Sequence, residues 1–335
     1  MAKRAATIGD VARVSGVSRA TASRALNDSP LVTPETKQRV RNAATELGFV
    51  KNALGQQLAT GRSETIAVLA TEPLDELFAD PTYARVLRGI TEGLSASRYL
   101  PILLQAWSAS EHERAVRHFE RRAVDAVISI SPYVGGDLLE SLAQGPLPVV
   151  LCGQLGGDPY EGVFSSVYAD DVVGAALAAS HLLGLGRRRI AVIDGPQDNP
   201  AAVDRRRGYR EALGEAYAPG LVTATAWDQT AGFDAMLGLL DVDPGIDGVL
   251  AASDRIAVGA LSALEMRRRR VPQDVAVVGF DDHELAATAR PPLTTMRQPM
   301  LEQGRLAAEL ALGMLDGWPP QTIVLDTELV LRRSA

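Results

Sequence analysis

The chain has 335 residues, 46% of them hydrophobic, which is enough for about two domains of roughly 150 residues each with substantial cores. Its formal net charge of −7 is unevenly distributed, because residues 1–62 contain ten Lys/Arg against four Asp/Glu and the remainder contains 24 against 37. This composition excludes a disordered chain, and the charge distribution favours binding of a polyanion by the N-terminal segment alone. The alternative for that segment is a basic face that is merely solvated.

Nothing in the sequence indicates export or a membrane anchor. The N-terminus leads directly into a helical pattern without the apolar stretch of a signal peptide, and no uninterrupted apolar run approaches the ~20 residues of a membrane span. We therefore expect a cytoplasmic protein with no membrane partner. The single cysteine, Cys152, lies in an apolar run and is expected to be a core residue.

Two short helical patterns lie between Thr7 and Asn27 and are separated at Gly16. Thr7 can cap the first helix and Ser18 the second, while a glycine can adopt the positive φ that a tight turn requires. Two short helices around a tight turn predict a helix-turn-helix, which is a DNA-binding motif. An ordinary antiparallel helix pair is the alternative interpretation.

The second helix of this motif has one apolar face and one polar face. Ala22, Ala25 and Leu26 share the face that would pack inward, which leaves the opposite face free to enter a groove of DNA. The residues expected to contact DNA in this stretch are Thr7, Ser18, Arg19, Ala20, Thr21, Ser23, Arg24 and Asn27. The two arginines are candidates for bidentate contacts with guanine and the alanine for a methyl contact, whereas the serines and threonines are candidates for phosphate contacts.

A third helix is predicted to begin at Thr33-Pro34-Glu35, where an N-cap, a proline at the first helical position and an acidic residue follow one another. The helix should end at Gly48. Its apolar stripe would close over the first two helices, because a two-helix unit buries too little surface. That stripe consists of Val40, Ala43, Ala44 and Leu47. Residues 1–50 are therefore assigned to a three-helix DNA-binding domain.

Residues 51–62 are predicted to form a hinge helix that follows this domain. Asn52 is a plausible N-cap, and Leu54 and Leu58 lie one turn apart. A helix this short, which also contains Gly55, is marginal in water and should form only against a partner. A plain flexible linker is the alternative.

From residue 63 onward, short apolar runs alternate with helical patterns, which indicates βαβ units and parallel sheets. Strands are expected at residues 66–70, 102–105, 124–130, 149–152, 190–193, 221–224, 249–251 and 275–278. Helices are expected at residues 85–96, 111–121, 138–143, 171–183, 205–213, 233–240, 256–266 and 298–315, followed by a strand and tail at 321–331.

This alternation occurs in two halves, so we predict an α/β core of two doubly wound parallel sheets within residues 63–335. The first lobe is expected to comprise about residues 63–163 and 298–325, since the chain crosses back after the second sheet. The second lobe is expected to comprise about residues 164–295 and the C-terminal tail. Two lobes linked by several crossings form a cleft that can close around a small molecule.

Several segments resemble the lactose-repressor (LacI/GalR) family, and the resemblance covers nearly the whole chain. In the N-terminal domain it rests on Ile8-Gly-Asp-Val-Ala, Gly16-Val-Ser, Thr21-Ala-Ser-Arg and Leu26-Asn. In the core it rests on His181-Leu-Leu-Gly-Leu-Gly, Ser253-Asp254, Val271-Pro-Gln-Asp-Val-Ala-Val-Val-Gly-Phe-Asp-Asp and Pro292-Leu-Thr-Thr. The resemblance implies a periplasmic-binding-protein-like core and a DNA-binding transcriptional regulator, most simply a repressor.

The resemblance also implies a role for the hinge. Leu58 occupies the position at which these proteins insert a leucine into the minor groove at the operator centre, and Asn52 and Gln56 complete the DNA-contacting residues. Two departures weaken this expectation, because Lys51 replaces the usual proline and Gly55 the usual alanine. Folding of the hinge would be costlier with these residues.

An effector site is implied at the carboxyl ends of the core strands, where open α/β sheets bind their ligands. Asp281 comes just past a buried strand, and Arg205 is expected to begin a helix that faces it. Trp227 occupies the position of an aromatic residue that stacks on the ligand, although a core position is the alternative. The full set expected to contact the effector is Phe78, Asp170, Arg205, Trp227, Ser253 and Asp281. Ser253 replaces the commonest asparagine and could change ligand choice.

No catalytic, metal or cofactor site is expected. No Gly-x-Ser-x-Gly turn and no glycine-rich phosphate loop follows any strand, and the four histidines show no metal-ligand spacing. An enzyme on this fold is therefore disfavoured. A sugar-binding protein of the periplasmic type without DNA function is the alternative, but it would need an export signal and no basic domain.

The sequence thus predicts a regulator that binds a palindromic double-stranded DNA operator as a homodimer, because half-site recognition follows two-fold symmetry. The effector is expected to be a sugar or a related metabolite in the cleft. Because no heptad segment follows the last strand, a dimer is expected and not a tetramer.

Overall fold

The computed structural model describes residues 6–49, 61–130, 132 and 137–335. The chain divides into two compact units, Met1–Ser63 and Glu64–Ala335. The hinge residues Asn52, Gln56 and Leu58 lie outside the described residues. The hinge helix therefore stays a prediction.

The first unit contains the three predicted helices, α1 (Ile8–Ser15), α2 (Arg19–Leu26) and α3 (Pro34–Glu46). Thr7, Ser18 and Thr33 cap them, each accepting a hydrogen bond from the backbone N–H three residues later. Gly16 has a φ of 65°, which confirms the tight turn between α1 and α2.

The core of this unit is formed by the apolar stripes of all three helices. Ala22 and Ala25 of α2 are completely buried, and Val40, Ala43 and Ala44 of α3 pack over them, as predicted. Mostly small side chains meet here, so the three helices approach one another closely. The same packing leaves the other side of α2 facing outward.

The described residues of the second unit form two six-stranded sheets, which confirms the predicted α/β architecture. The strands are β1 (Thr65–Ala70), β2 (Leu100–Gln105), β3 (Ala126–Ile130), β4 (Val149–Cys152), β5 (Ser165–Ala169), β6 (Ile190–Asp194), β7 (Val222–Ala224), β8 (Gly248–Ala251), β9 (Ala276–Asp281), β10 (Thr294–Arg297), β11 (Thr322–Leu325) and β12 (Glu328–Val330). Their orders are β11-β5-β4-β3-β1-β2 and β12-β10-β9-β8-β6-β7. Pairing is parallel except between β10 and β12.

Helices cover both faces of each sheet, as the buried apolar clusters on the two sides of the strands show. They are α4 (Leu74–Ala79), α5 (Pro81–Leu94), α6 (Ala109–Glu120), α7 (Asp137–Ala143), α8 (Asp171–Gly184), α9 (Pro200–Leu213), α10 (Gln229–Val242), α11 (Asp254–Met266), α12 (Glu284–Thr288) and α13 (Met300–Leu315). Cys152 is buried in the first core, as expected, and burial raises the pKa of its thiol to about 12.

Two strands, β5 and β10, were absent from the sequence-based expectation. The placement of residues 164–169 in the second lobe is wrong, because β5 pairs with β4 and β11 in the first sheet. Both strands begin with serine or threonine residues, which do not indicate a buried strand. Their hydroxyls are nevertheless buried and bonded: Ser166 Oγ donates to Thr322 Oγ1 at 3.2 Å, and Thr295 Oγ1 donates to Asp254 Oδ1 at 2.5 Å.

The described chain crosses between the two lobes after β5, β10 and β11. The second crossing returns α13 to the first lobe, as predicted, where it packs on α5. Gly89 and Gly304 permit this close approach, because a Cβ on either would lie within 2.3 Å of a backbone oxygen of the facing helix. The crossings place the carboxyl ends of both sets of parallel strands on either side of one cleft.

Candidate nucleic-acid interface and ligand cleft

The outward face of α2 carries the residues that the sequence assigned to DNA. Arg19, Ala20, Arg24 and Asn27 are exposed, while Ser23 is half-buried at the edge of the face. Within residues 6–49, the guanidinium groups of Arg19 and Arg24 have no hydrogen bond or ion pair with another described residue. The five N–H donors of each guanidinium are therefore available to base edges or phosphates.

The hydroxyl side chains at the helix starts are already used locally. Thr7 Oγ1 donates to Asp10 Oδ2 at 2.7 Å and accepts from the Asp10 backbone N–H at 3.3 Å. In this geometry Thr7 has no hydroxyl hydrogen for a phosphate, so its predicted phosphate contact is not available without a rearrangement. Ser18 Oγ and Thr21 Oγ1 lie 2.8 Å apart, and this pair keeps one hydroxyl hydrogen that can still be donated.

Two cavities occupy the cleft between the lobes of the second unit, and Tyr83 lines both. The larger has a volume of about 510 Å³ and lies between Trp107 of the first lobe and Trp227 of the second. The smaller, of about 120 Å³, is lined by Arg205, Asp171 and Gln298, among others. Both lie at the carboxyl ends of parallel strands, which is the position that the fold predicts for a ligand.

Arg205 is the centre of a buried charged cluster beside the smaller cavity. Its Nε lies 2.8 Å from Asp171 Oδ1 and its Nη1 lies 3.2 Å from Asp281 Oδ1. Gln298 Nε2 donates to the same Asp281 oxygen at 2.7 Å, and the guanidinium carbon lies 3.9 Å from the centre of the Phe280 ring. The structure corrects one expectation, because Arg205 lies within α9 and does not begin it.

The electrostatics of this cluster follow from burial and from the count of charges. Burial opposes ionisation of Arg205, but Asp171 and Asp281 outweigh it and raise the pKa of the guanidinium. Burial also raises the pKa of both carboxyls, and the arginine only partly offsets it. Two carboxyl groups face one guanidinium, so the cluster holds more hydrogen-bond acceptors than its arginine alone can satisfy and favours ligand groups that donate hydrogen bonds.

The two lobes also touch at the edge of the cleft. Thr82 Oγ1 of the first lobe lies 3.1 Å from His283 Nε2 of the second, and Arg255 Nη1 lies 3.6 Å from Asp80 Oδ2. Asp254, which is buried, accepts the His283 backbone N–H at 2.7 Å and so helps to fix that loop. Movement of one lobe against the other must change these contacts.

Of the residues expected to contact an effector, Arg205 lines the smaller cavity and Trp227 the larger one, whereas Asp281 lines neither and adjoins the smaller one only through its ion pair with Arg205. The other three do not line either cavity. Ser253 caps α11 by accepting from Ile256 N at 3.2 Å, and Asp170 caps α8 by accepting from Val173 N at 2.9 Å. Phe78 is 73% exposed on α4. Roles for these three as ligand contacts remain predictions.

Several cleft residues were not found from the sequence, notably Tyr83, Trp107, His112 and Asp171. One signal was present, since Trp107 follows β2 by two residues and strand ends carry ligand groups in this fold. Asp171 could not be distinguished from an ordinary acidic residue in the first turn of a helix.

Comparison with known proteins identifies the family. Residues 7–52 match the family described as "Bacterial regulatory proteins, lacI family", and residues 179–335 match "Periplasmic binding protein-like domain". The sequence is 39% identical, over 99% of each chain, to the HTH-type transcriptional regulator CelR of Thermobifida fusca. The chain belongs to the lacI family. It is a DNA-binding transcriptional regulator and not an enzyme.

Solved structures extend this result to the whole fold. The lacI-family chain is similar to the transcriptional regulator CelR–cellobiose complex with a TM-score of 0.78 and 38% identity, over 98% of this chain and 100% of that one. It is also similar to the Lac repressor dimer bound to operator and the anti-inducer ONPF, with a TM-score of 0.87 and 25% identity over 99% of each chain. Among the helices that the structure describes, none is both long and apolar enough to cross a membrane.

Proposed function

We propose that this lacI-family regulator is a cytoplasmic homodimeric repressor that binds a palindromic operator, and that a sugar in the cleft controls its operator affinity. The observation that carries the proposal is the exposed face of α2, where Arg19 and Arg24 have no partner among the described residues. This face belongs to a basic segment on an otherwise acidic chain. Only that segment gains from release of DNA counterions.

A dimer is proposed because one helix-turn-helix reads one half-site, and two half-sites related by a two-fold axis need two copies. The Lac repressor, which shares the whole fold, was solved as a dimer on its operator. For the hinge, we propose that Leu58 enters the minor groove, with Asn52 and Gln56 beside it. Lys51 and Gly55 would then make hinge folding costlier than in relatives that have proline and alanine there.

A neutral sugar is proposed as effector because the cleft offers both kinds of surface that a sugar needs. The carboxylates of Asp171 and Asp281 beside Arg205 can hold hydroxyl groups through charge-assisted hydrogen bonds. Trp227, which lines the larger cavity, can cover an apolar sugar face. CelR, the relative compared above, was solved as a complex with cellobiose.

The sugar can change operator affinity only through a difference in its affinity for two arrangements of the lobes. The contacts that such a change would break or tighten are those between Thr82 and His283 and between Asp80 and Arg255. Because operator and sugar bind to one chain, each must change the affinity for the other by the same factor.

The test uses the full-length protein. Operator sequences are selected from a random duplex pool, sugars that raise Tm are found by thermal-shift screening, and operator affinity is then measured by fluorescence anisotropy with and without each such sugar. We expect a palindromic sequence and at least one sugar that changes operator affinity roughly tenfold, which corresponds to about 1.4 kcal/mol of coupling. A non-shifting sugar serves as control. Selection of no sequence would refute the operator, and no change with any sugar that binds would refute the coupling.

A further inference from the structure

Two tryptophans from opposite lobes line the larger cavity. On the second lobe, the Trp227 ring packs closely against Gly195. A Cβ on Gly195 would lie 2.2 Å from this ring, so only glycine leaves room for it. The Arg205 guanidinium carbon lies 5.7 Å from the centre of the same ring. Trp227 is thus packed against its own lobe on one side.

The backbone that carries Trp107 is equally fixed, although its side chain is 55% exposed. Ala106 N donates to Ala70 O at 2.9 Å, and Trp107 N donates to Glu111 Oε2 at 3.0 Å. His112 Nε2 lies 2.8 Å from the Ala106 carbonyl oxygen. A large aromatic side chain is therefore presented at the cavity on a rigid turn, with half of its surface still open to a ligand.

From this arrangement we infer that Trp107 is a second aromatic platform and that the effector is a sugar of at least two rings, one against Trp227 and the next against Trp107. The inference rests on the proposed binding of a sugar in the cleft. One hexose ring fills on the order of 200 Å³, six or seven water volumes of about 30 Å³. The larger cavity has about 510 Å³, so a single ring would leave more than half of it empty.

The polar lining of the larger cavity fits the same ligand. Glu72 and Asp80 of the first lobe and Asp198 of the second line it, and their carboxylates accept hydroxyl hydrogens. The aromatic rings supply flat apolar faces for the C–H groups of each sugar ring. A ligand that spans both lobes has to contact both tryptophans, so Trp107 would set the preference for a two-ring sugar over its one-ring unit.

The experiment compares affinities of full-length variants by calorimetry for glucose, galactose, cellobiose, lactose and maltose. Trp107→Ala should lower the affinity for the disaccharide that binds best at least tenfold and the affinity for its one-ring unit less than twofold. Trp227→Ala should lower both affinities. Trp318→Ala is the matched control, because Trp318 is also 55% exposed and packs against Gly313 outside the cleft. Trp107→Phe should recover most of the lost affinity, because it retains an aromatic face.

A second measurement uses fluorescence. The chain has three tryptophans, so a variant with Trp227→Phe and Trp318→Phe reports on Trp107 alone. The disaccharide should change the intensity of its emission, and the monosaccharide should leave it unchanged. Trp227→Phe keeps an aromatic face against the first ring, and calorimetry on the same variant shows that the disaccharide still binds, so its emission decides the matter even if Trp107→Ala fails to fold.

The outcomes separate the two proposals. If the wild-type protein binds a disaccharide and neither Trp107→Ala nor the Trp107 emission responds, the second platform is refuted and the sugar site stands. If a monosaccharide binds as tightly as every disaccharide, the two-ring ligand is refuted. If the wild-type protein binds none of the five sugars, both the proposed sugar effector of this class and the platform are overturned.

Discussion

The arginines on α2 and the arginine in the cleft differ in their burial and in whether they already have partners. Arg19 and Arg24 are exposed and without partners among the described residues, whereas Arg205 is buried and already paired with Asp171 and Asp281. DNA can therefore complete the hydrogen bonding of the α2 arginines without breaking any protein contact. A ligand that reaches Arg205 must instead exchange partners within a buried cluster.

This difference has a mechanistic consequence. Binding that only provides acceptors for unpaired N–H donors does not require the protein to move. It therefore suits a surface that recognises base edges. Binding that rearranges a buried charged cluster necessarily changes the residues attached to it, which here include Gln298 at a crossing between the lobes. The cleft is thus suited to a ligand-dependent change of conformation, and the exposed helix is suited to recognition of a base sequence.

The largest expected effect is on stability. Arg205→Ala should lower the free energy of unfolding by about 3–5 kcal/mol, because it leaves two carboxylates buried without their counter-charge. Chemical denaturation measures this change. Arg24→Ala is the control and should change stability by less than about 0.5 kcal/mol, because the side chain is exposed. Equal stability of the two variants would refute the contrast between the sites.

A second buried acidic group, Asp194, extends the comparison to the pH dependence of stability. Burial raises the pKa of Asp194, at the end of β6, to about 6, and Arg206 only partly offsets it. The folded state therefore holds this proton more tightly than the unfolded state. The resulting stability is fully present below about pH 4 and is lost as pH rises through about 6.

Asp194→Asn does not titrate, so the free energy of unfolding of the wild type should fall by roughly 2 kcal/mol relative to this variant between pH 4 and pH 7. Denaturation midpoints across that range measure the difference. Asp274→Asn is the control, because hydrogen bonds from Arg270 lower the pKa of the half-buried Asp274, whose contribution to stability is lost only as pH falls below about 4 and so stays nearly constant across that range. A constant difference between wild type and Asp194→Asn would show that Asp194 does not titrate there.

For the α2 arginines we predict a change in specificity. Arg24→Ala should relax the base preference at one position in each half-site. The free energy of binding to an operator with the preferred base should become about 1–3 kcal/mol less favourable. Thr21→Ala should weaken binding to all sequences alike, since a hydroxyl that contacts phosphate carries no sequence information. Anisotropy titrations against single-base operator variants and random DNA distinguish them. Equal loss on specific and random DNA for Arg24→Ala would contradict the base contact.

The smallest predicted effect concerns Asp281. Asp281→Asn keeps the size of the side chain but removes its charge beside Arg205, so sugar affinity should fall roughly tenfold, or about 1.4 kcal/mol. Operator affinity without sugar should be unchanged. Calorimetry and anisotropy measure the two affinities separately. A variant that still responds at the wild-type sugar concentration would place the pocket elsewhere.

Local rules in the sequence predicted most of the fold. The N-terminal helices follow from caps at Thr7, Ser18 and Thr33 and from a glycine whose φ of 65° allows the turn, and each of these acts within a few residues. The predicted strands of the core follow from continuous apolar runs such as Val149–Cys152, which only a buried parallel strand explains well. Resemblance to the lacI family added the expectation that Arg205, Trp227 and Asp281 contact a ligand.

Only the tertiary structure decided what depends on residues far apart in the chain. Ser166 and Thr295 belong to buried strands because Thr322 and Asp254 satisfy their hydroxyls, and no local pattern encodes those partners. Ser253 and Asp170 were expected at the ligand, but in the structure they cap helices. The sequence does not distinguish these roles, because a side-chain oxygen can accept a hydrogen bond either from a ligand or from a backbone N–H at a helix start. Trp107 and Trp227 line one cavity only because two sheets place their strand ends on opposite sides of it. Sequence spacing determines which side chains share an element, whereas packing of the elements determines which side chains meet.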